Sequence, residues 1–375
     1  MELSWRWRFL EVFCLTAICC CSAAAGSLRT VWVVDLHKFL GRGGLGGGGG
    51  LPVFAVEFSP DGQSVAVIAG QFRTDADHIT SRLVVLSAKK PEVDPIQFEV
   101  PSGNYRPTWS DSSISIDAGG RVIRLRERAT CEVPELGLFL DGQIITWPTG
   151  PVVGLPTRFA LFDRNCRRVG EFSPGEEWLV NDVSIDRHLM VVERPTGGVP
   201  RFSAEAPRPR ETLIVSSSDR HVVSRWSGNG APYGRFADRG TALCNSFGEE
   251  DTPTSSMRCW NVDDGRVISD APGAYGGSPF ATASRASRLV YSQYTNRPGL
   301  VGDWDARSFE KTVIWDFGTT KTVASWRPSV QAYDLLFARG RSKPVRELAR
   351  FAISPDGQYI AEGGDGAVRL YRIEP

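Results

Sequence analysis

Apolar residues along this chain come in short runs broken by turn residues, with almost no helical spacing. The runs Leu83-Val84-Val85-Leu86, Val122-Ile123-Arg124-Leu125, Phe159-Ala160-Leu161-Phe162-Asp163 and Thr212-Leu213-Ile214-Val215 each predict a strand. Cys259-Trp260-Asn261-Val262, Val313-Ile314-Trp315-Asp316 and Val368-Arg369-Leu370-Tyr371 extend the series to seven. Several lead through a turn into another strand, as Trp315-Asp316-Phe317-Gly318 does before Lys321-Thr322-Val323-Ala324-Ser325-Trp326.

A second series precedes the first. Val56 to Ala66 and Phe351 to Ala361 are nearly the same sequence: an apolar strand, a Ser-Pro-Asp-Gly turn and a second apolar strand. Pro presets φ for the second turn position and Gly supplies the left-handed residue a hairpin requires. The two turns lie 295 residues apart, and six equal intervals give repeats of about 49 residues, the length of a four-stranded propeller blade. Weaker turns occur at Ser110-Asp111-Ser112, Asp141-Gly142-Gln143, Asp186-Arg187-His188, Asp238-Arg239-Gly240 and Ser284-Arg285-Ala286-Ser287, which makes seven. Their spacing is uneven, 30 residues from Asp111 to Asp141 but 71 from Arg285 to Asp356, so either blade two is trimmed or one turn is miscounted.

The predicted fold is therefore all-β, a seven-bladed β-propeller of four-stranded antiparallel blades. The last blade lacks a fourth strand, while Thr30-Val31-Trp32-Val33-Val34-Asp35-Leu36 has no blade of its own. Pairing residues 30–36 with 367–373 would close the ring and remove an exposed edge. Residues 28–36 are thus read as the closing strand and 41–50, rich in Gly, as a linker into blade one. Phe-Ser-Pro-Asp-Gly-Gln, Val313-Ile314-Trp315-Asp316 and Val368-Arg369-Leu370-Tyr371 resemble WD40-type β-propeller repeats. The first and last blades match well, Trp315-Asp316 and Trp260-Asn261 match in part, blades two to four are degenerate, and the family's Gly-His dipeptide is missing. The related TolB-type propeller shares the Ser-Pro-Asp-Gly hairpin.

Composition adds little about chemistry and more about address. Lys plus Arg and Asp plus Glu both number 43, so no basic excess favours nucleic acid. The most basic stretch, Arg121 to Arg128, alternates like a solvated strand face. Arg6 and Arg8, the apolar run Val12 to Cys21 and the exit Ala23-Ala24-Ala25 have the anatomy of a secretory signal peptide. That predicts residues 1–25 as a cleaved signal, residues 26–375 as one propeller domain, and an exported product, periplasmic or secreted. Three adjacent cysteines invite a lipid-anchored reading, but no Leu-small-small pattern precedes them. No other stretch is apolar enough to cross a membrane, so no transmembrane anchor is expected after signal cleavage. The expected oligomeric state is a monomer.

Four of the eight cysteines lie beyond that segment: Cys131, Cys166, Cys244 and Cys259. Cys244 falls on a second strand and Cys259 on the neighbouring third, which makes them a disulfide candidate in an oxidising compartment. Cys131 and Cys166 read as small buried free thiols. Four histidines without ligand spacing, no Gly-x-Ser-x-Gly and no calcium pattern leave no catalytic, metal or cofactor assignment. Gly41-Arg42-Gly43-Gly44-Leu45-Gly46 matches a dinucleotide fingerprint in letters, but more glycine follows where a helix should open.

Loop length is the remaining signal. Gly70 to Ser81, Arg194 to Glu211, Phe247 to Met257 and Tyr294 to Lys311 are long second-to-third-strand loops. Propeller geometry gathers them, with the Arg327 to Ala349 connection, on the face opposite the Ser-Pro-Asp-Gly turns. They carry Phe72, Arg73, Arg201, Phe202, Tyr294, Arg297 and Trp304, types enriched in binding hot spots. The expected function is a non-catalytic scaffold binding a protein, peptide or glycan through that face. The alternative is a propeller-type hydrolase or lactonase with a metal or acid/base site in the central channel.

Overall fold

The computed structural model describes residues 26–40, 51–70, 80–92, 95–101, 107–110, 113–116, 121–133, 136–147, 156–176, 179–195, 209–229, 234–248, 255–274, 280–294, 309–336 and 342–374. The expected signal segment 1–25 and the glycine-rich stretch 41–50 lie outside them.

Among the described residues the first elements are β1 (Leu28–Asp35) and a short helix, α1 (His37–Leu40). Blade one follows as β2 (Val53–Phe58), β3 (Ser64–Gly70), β4 (Thr80–Ser87) and β5 (Ile96–Pro101). Blade two is β6 (Pro107–Trp109), β7 (Ser113–Ile116), β8 (Arg121–Arg124) and β9 (Ala129–Glu132). Blade three is β10 (Leu136–Leu140), β11 (Gln143–Trp147), β12 (Pro156–Asp163) and β13 (Arg168–Glu176). Blade four is β14 (Leu179–Ser184), β15 (Leu189–Pro195), β16 (Pro209–Ser216) and β17 (Val222–Asn229). Blade five is β18 (Arg235–Ala237), β19 (Ala242–Gly248), β20 (Ser255–Asn261) and β21 (Val267–Pro272). Blade six is β22 (Phe280–Thr282), β23 (Arg288–Tyr294), β24 (Phe309–Asp316) and β25 (Lys321–Trp326). A separate hairpin, β26 (Val330–Leu336) and β27 (Ser342–Leu348), precedes the last blade, β28 (Arg350–Ile353), β29 (Tyr359–Gly364) and β30 (Ala367–Ile373).

Each blade is a four-stranded antiparallel meander, and the seventh takes β1 as its outer strand. The register runs from Leu28↔Ile373 to Asp35↔Ala367, so the N-terminal strand closes the ring. Both spacing anomalies have a cause. Blade two is trimmed to short strands across 107–132, and the long interval before Asp356 contains the inserted β26–β27 hairpin. The Arg327–Ala349 stretch, expected as a plain connection, is therefore largely paired strand.

Second and third strands are apolar on both sides because each blade is packed on both faces. In β3, Val65, Val67 and Ala69 join the cluster against blade seven, while Ala66 and Ile68 join the cluster against blade two. In β15, Met190 and Val192 face blade three and Leu189 and Val191 face blade five. In β12, Phe159 and Leu161 face blade four, and Phe162 faces blade two. A continuous apolar run on a strand thus serves two interfaces at once, and the core is a ring of seven seams.

The Arg121–Arg128 stretch departs from expectation. Strand β8 stops at Arg124, and Leu125 to Arg128 form its turn, with Arg128 left-handed at φ 49. Arg121 donates to the Glu99 carbonyl (2.9 Å) and pairs with Glu132 (2.9 Å), and Arg124 donates to Asn165 Oδ1 (3.1 Å). These arginines tie blades one, two and three together.

Candidate functional site

An antiparallel meander places first-to-second and third-to-fourth turns on one face of the disc, and all other connections on the opposite face. The two faces are built differently here.

The turn face is bonded to itself. In blade one the Ser59 hydroxyl donates to Asp61 Oδ1 (2.6 Å), which also accepts the Gln63 N–H (2.9 Å), and Gly62 takes φ 70. Ser354, Asp356 and Gly357 repeat that arrangement in blade seven. Burial works against the Asp61 charge, yet the Ser59 hydroxyl, the Gln63 N–H and the Arg285 guanidinium together hold its carboxyl below the usual range. The third-to-fourth turns use one device three times. Asp163, Asn261 and Asp316 each accept the backbone N–H two residues on, at 2.8, 2.8 and 3.0 Å. This is the physical role of the polar residue that ends Phe162-Asp163, Trp260-Asn261 and Trp315-Asp316.

Neighbouring turns then bond one another. Asp141 of blade three accepts from the Ser217 hydroxyl and pairs with the His188 ring of blade four. Arg187 bonds Asp263 of blade five (2.7 Å). The Asp238 and Arg239 N–H groups reach the carbonyls of Ala283 and Ser284 in blade six. Arg285 N and Arg288 Nη1 reach the Pro355 and Gly357 carbonyls in blade seven (2.8 and 2.9 Å). The Arg285 guanidinium lies 3.6 Å from Asp186, joining blades six and four.

Asp219, in the blade-four turn, is held down to about 2 from 3.8 by bonds from Ser216 and His221. A carboxylate with a depressed folded-state value stabilises above its unfolded value and loses that contribution as pH falls. The stability deficit of Asp219→Asn at neutral pH should therefore shrink as pH falls from 3.8 toward about 2. Urea midpoints across that range measure it, and a deficit constant with pH would contradict the assignment.

The opposite face carries the long connections. They leave the blades at Gly70↔Ser81, Pro195↔Arg210, Gly248↔Ser255 and Tyr294↔Phe309. Phe72, Arg73, Arg201, Phe202, Arg297 and Trp304 lie outside the described residues. Tyr294 closes β23, where its backbone pairs with Phe309. The geometry therefore brings the bases of these loops to one face.

The same face holds the inserted hairpin, whose neck is fixed by a carboxylate that sequence reasoning missed. Glu362 of β29 is 2% exposed. It accepts from the Trp326 indole (3.0 Å) and from the Ser329 hydroxyl (2.8 Å) and backbone N–H (3.2 Å), and its Oε1 lies 3.7 Å from Arg369. The Ala349 N–H bonds the Ser329 carbonyl (2.9 Å), so the two ends of the insertion sit side by side. The signal available in sequence was a lone Glu inside the apolar strand Ile360-Ala361-Glu362.

First strands of neighbouring blades contact one another around the axis. Asp182 accepts the Phe236 N–H (2.8 Å), Thr282 donates to the Phe236 carbonyl (2.7 Å), and Arg235 stands 5.3 Å over the Phe280 ring. Among the described residues no group of three or more His, Cys, Asp or Glu side chains could hold a metal ion. No helix among them is long and apolar enough to cross a membrane.

Cys244 and Cys259 face each other across β19 and β20 as a disulfide, with Cα atoms 4.1 Å apart. Cys131 and Cys166, expected as free thiols, are instead bonded, joining β9 of blade two to the β12–β13 turn of blade three. Sequence spacing carries no information about register between blades, which is why that pair was invisible.

No protein-family model matches the chain, and no curated protein does. Solved structures do. A chain of the mitotic checkpoint complex superposes at a TM-score of 0.54 and 11% identity, covering 94% of both chains. Hydrazine synthase of Kuenenia stuttgartiensis gives 0.52 at 12% identity, covering 88% of this chain and 98% of that one. The β-propeller domain of the trilobed protease of Pyrococcus furiosus, described as having an open velcro topology, gives 0.50 at 12% identity, covering 86% and 93%. At these identities the likeness is one of fold.

Proposed function

We propose that this propeller is an exported, non-catalytic scaffold of the WD40 type that binds a protein, peptide or glycan through its long-loop face. One observation carries the reading: the turns of neighbouring blades are bonded to one another on one face, and the long connections all open on the other. From blade three round to blade seven the turn face consumes its carboxylates, guanidiniums and N–H groups in bonds between adjacent turns. The other face bears the long connections and a separate hairpin on a fixed neck. Connections that grow on one side of a rigid ring are where recognition residues accumulate. Export is supported by the pairing of all four cysteines beyond residue 25 into disulfides, which persist in oxidising compartments.

Shortening the connections between Pro195 and Pro209, and between Tyr294 and Phe309, to tight turns tests this. The melting temperature should hold, because closure entropy changes slowly with loop length. Capture of partners from an extracytoplasmic extract should fall at least about tenfold, as loss of hot-spot side chains does. Charge substitutions at Gln63 and Gln358 on the turn face should leave capture unaltered. Full capture after both loops are removed would sink the reading.

A further inference from the structure

The residues ahead of β1 are bonded into the ring. Gly26 forms a parallel bridge with Ala324, and its N–H bonds the Val323 carbonyl of β25 in blade six (2.7 Å). Ser27 is bonded to the end of blade seven: its carbonyl accepts the Glu374 N–H (2.9 Å) and its hydroxyl donates to the Glu374 carboxylate (3.3 Å). We propose that the Ala25–Gly26 peptide bond is the processing site of the chain, and that the α-ammonium released by its cleavage docks in this socket as a pin between blades six and seven. The inference rests on the export reading and adds to it the bond that is cut and the task of the new terminus.

The socket fits glycine. A Cβ on residue 26 would overlap the Glu374 carbonyl oxygen and stand 2.8 Å from the Val323 carbonyl oxygen. Both are backbone atoms, so neither can swing aside as a flexible side chain would. A signal peptidase reads small residues before the cut, here Ala23 and Ala25. Those residues satisfy the peptidase, and the glycine that follows them is what the fold requires. Cleavage pattern and fold meet at one peptide bond.

The socket also suits a cation. Two backbone carbonyl oxygens close on Gly26, and Ser27 holds the Glu374 carboxylate beside it. Arg29 shares that carboxylate at 3.3 Å from a side chain 60% exposed. In the uncut chain residue 26 offers an amide with a single proton, which goes to Val323. Hydrolysis breaks the C–N bond. The hydroxyl of water joins the Ala25 carbonyl carbon, while the other water hydrogen and the proton shed by the new carboxyl group both go to the Gly26 nitrogen. The resulting ammonium keeps the Val323 bond and gains two donors and a charge. Charge-assisted hydrogen bonds are about twice as strong as neutral ones.

The place of the pin matters as much as its chemistry. Leu28 and Val323 pack on a cluster that joins Val290 and Ile314 of blade six to Ile353, Ile360 and Ile373 of blade seven. A cation held there bonds across that seam, next to the strand that closes the ring.

The test expresses the full chain in an exporting bacterial host and purifies the product from the extracytoplasmic fraction. Mass mapping of its N-terminal peptide should find Gly26 first. The product is then treated at neutral pH with a limiting amine-acylating ester, folded and in urea. A free α-amine ordinarily reacts ahead of lysine, because it gives up its proton at lower pH. Folding should slow the Gly26 amine at least about tenfold, the effect of holding its proton one pH unit harder. Lys38, with a side chain 63% exposed, should react alike in both states. Gly26→Ala, cut at the same bond, should melt lower and lose the protection. A Gly26 amine equally reactive folded and unfolded would overturn the proposal, and so would an alanine variant with unchanged melting and protection. An exported product that begins at another residue leaves the export reading standing while this one falls. A chain retained inside the cell with residues 1–25 still attached sinks both.

Discussion

Deleting Leu28 to Leu36 should leave a protein with no cooperative unfolding transition that elutes as aggregate. The strand supplies the outer quarter of blade seven, paired along its length with β30. Val34 and Leu36 are 2% and 0% exposed and pack with Val53, Val56 and Val84 of blade one. The Trp32 indole donates to the Ala88 carbonyl of blade one (2.8 Å), and the Leu36 N–H bonds the Gly366 carbonyl (2.8 Å). Burial of those two side chains alone contributes about 4 kcal/mol, close to the whole stability of many domains. The deletion also bares the edge of β30, a template for association. Leu36→Ala, which keeps the strand, should stay monomeric and lose about 3 kcal/mol in urea unfolding. A truncated chain that remains monomeric with an unchanged melting temperature would refute closure by β1.

Glu362→Ala should be the most damaging single substitution of a charged residue among those described. It would take from the Trp326 indole and the Ser329 hydroxyl the acceptor each now uses, and from Arg369 the carboxylate it faces, leaving the Arg369 bond to the Ser329 oxygen (3.3 Å). Removing one partner of a buried ionic network costs about 3 kcal/mol or more. Glu362→Gln keeps an acceptor for the indole but not the charge facing Arg369, so an intermediate loss is expected. Glu92→Ala is the control: its pair with Lys38 spans 3.7 Å, both side chains are more than half exposed, and the change should stay within about 0.5 kcal/mol. Urea midpoints at neutral pH compare the three. Equal effects at Glu92 and Glu362 would mean that the neck network contributes nothing.

The fold was legible because its punctuation is chemical. All seven first-to-second-strand turns were recognisable, the two strongest because Ser, Asp and Gly each have a bond or a φ to satisfy there. The third strands were recognisable because two-sided burial makes them continuous apolar runs. Closure by the N-terminal strand followed from counting strands and refusing an open edge. The hairpin was not legible. Pro344 argues against a strand, and the pairing Asp334↔Pro344 offers no apolar alternation to offset it. Nor was Cys131–Cys166, since the contact lies between blades and no local pattern encodes which residues of successive blades meet. The candidate site was legible only as a face. Loop lengths assign the side of the disc, whereas all but Tyr294 of the side chains proposed to act there lie outside the described residues.

The pairing of β1 with β30 also sets an order of events. Every other described strand has a hydrogen-bonded neighbour close by in sequence, but β1 finds its pairing strand only at residues 367–373. The pairing that completes blade seven thus joins the two described strands farthest apart in sequence, and the seam between blades seven and one closes only after β30 is made. Contacts of such long sequence separation are slow to form, and in the interval both edges of the seam are open to other chains. Destabilising changes in β1, β30 or the first strand of blade one should therefore act on yield during folding before they act on the finished molecule.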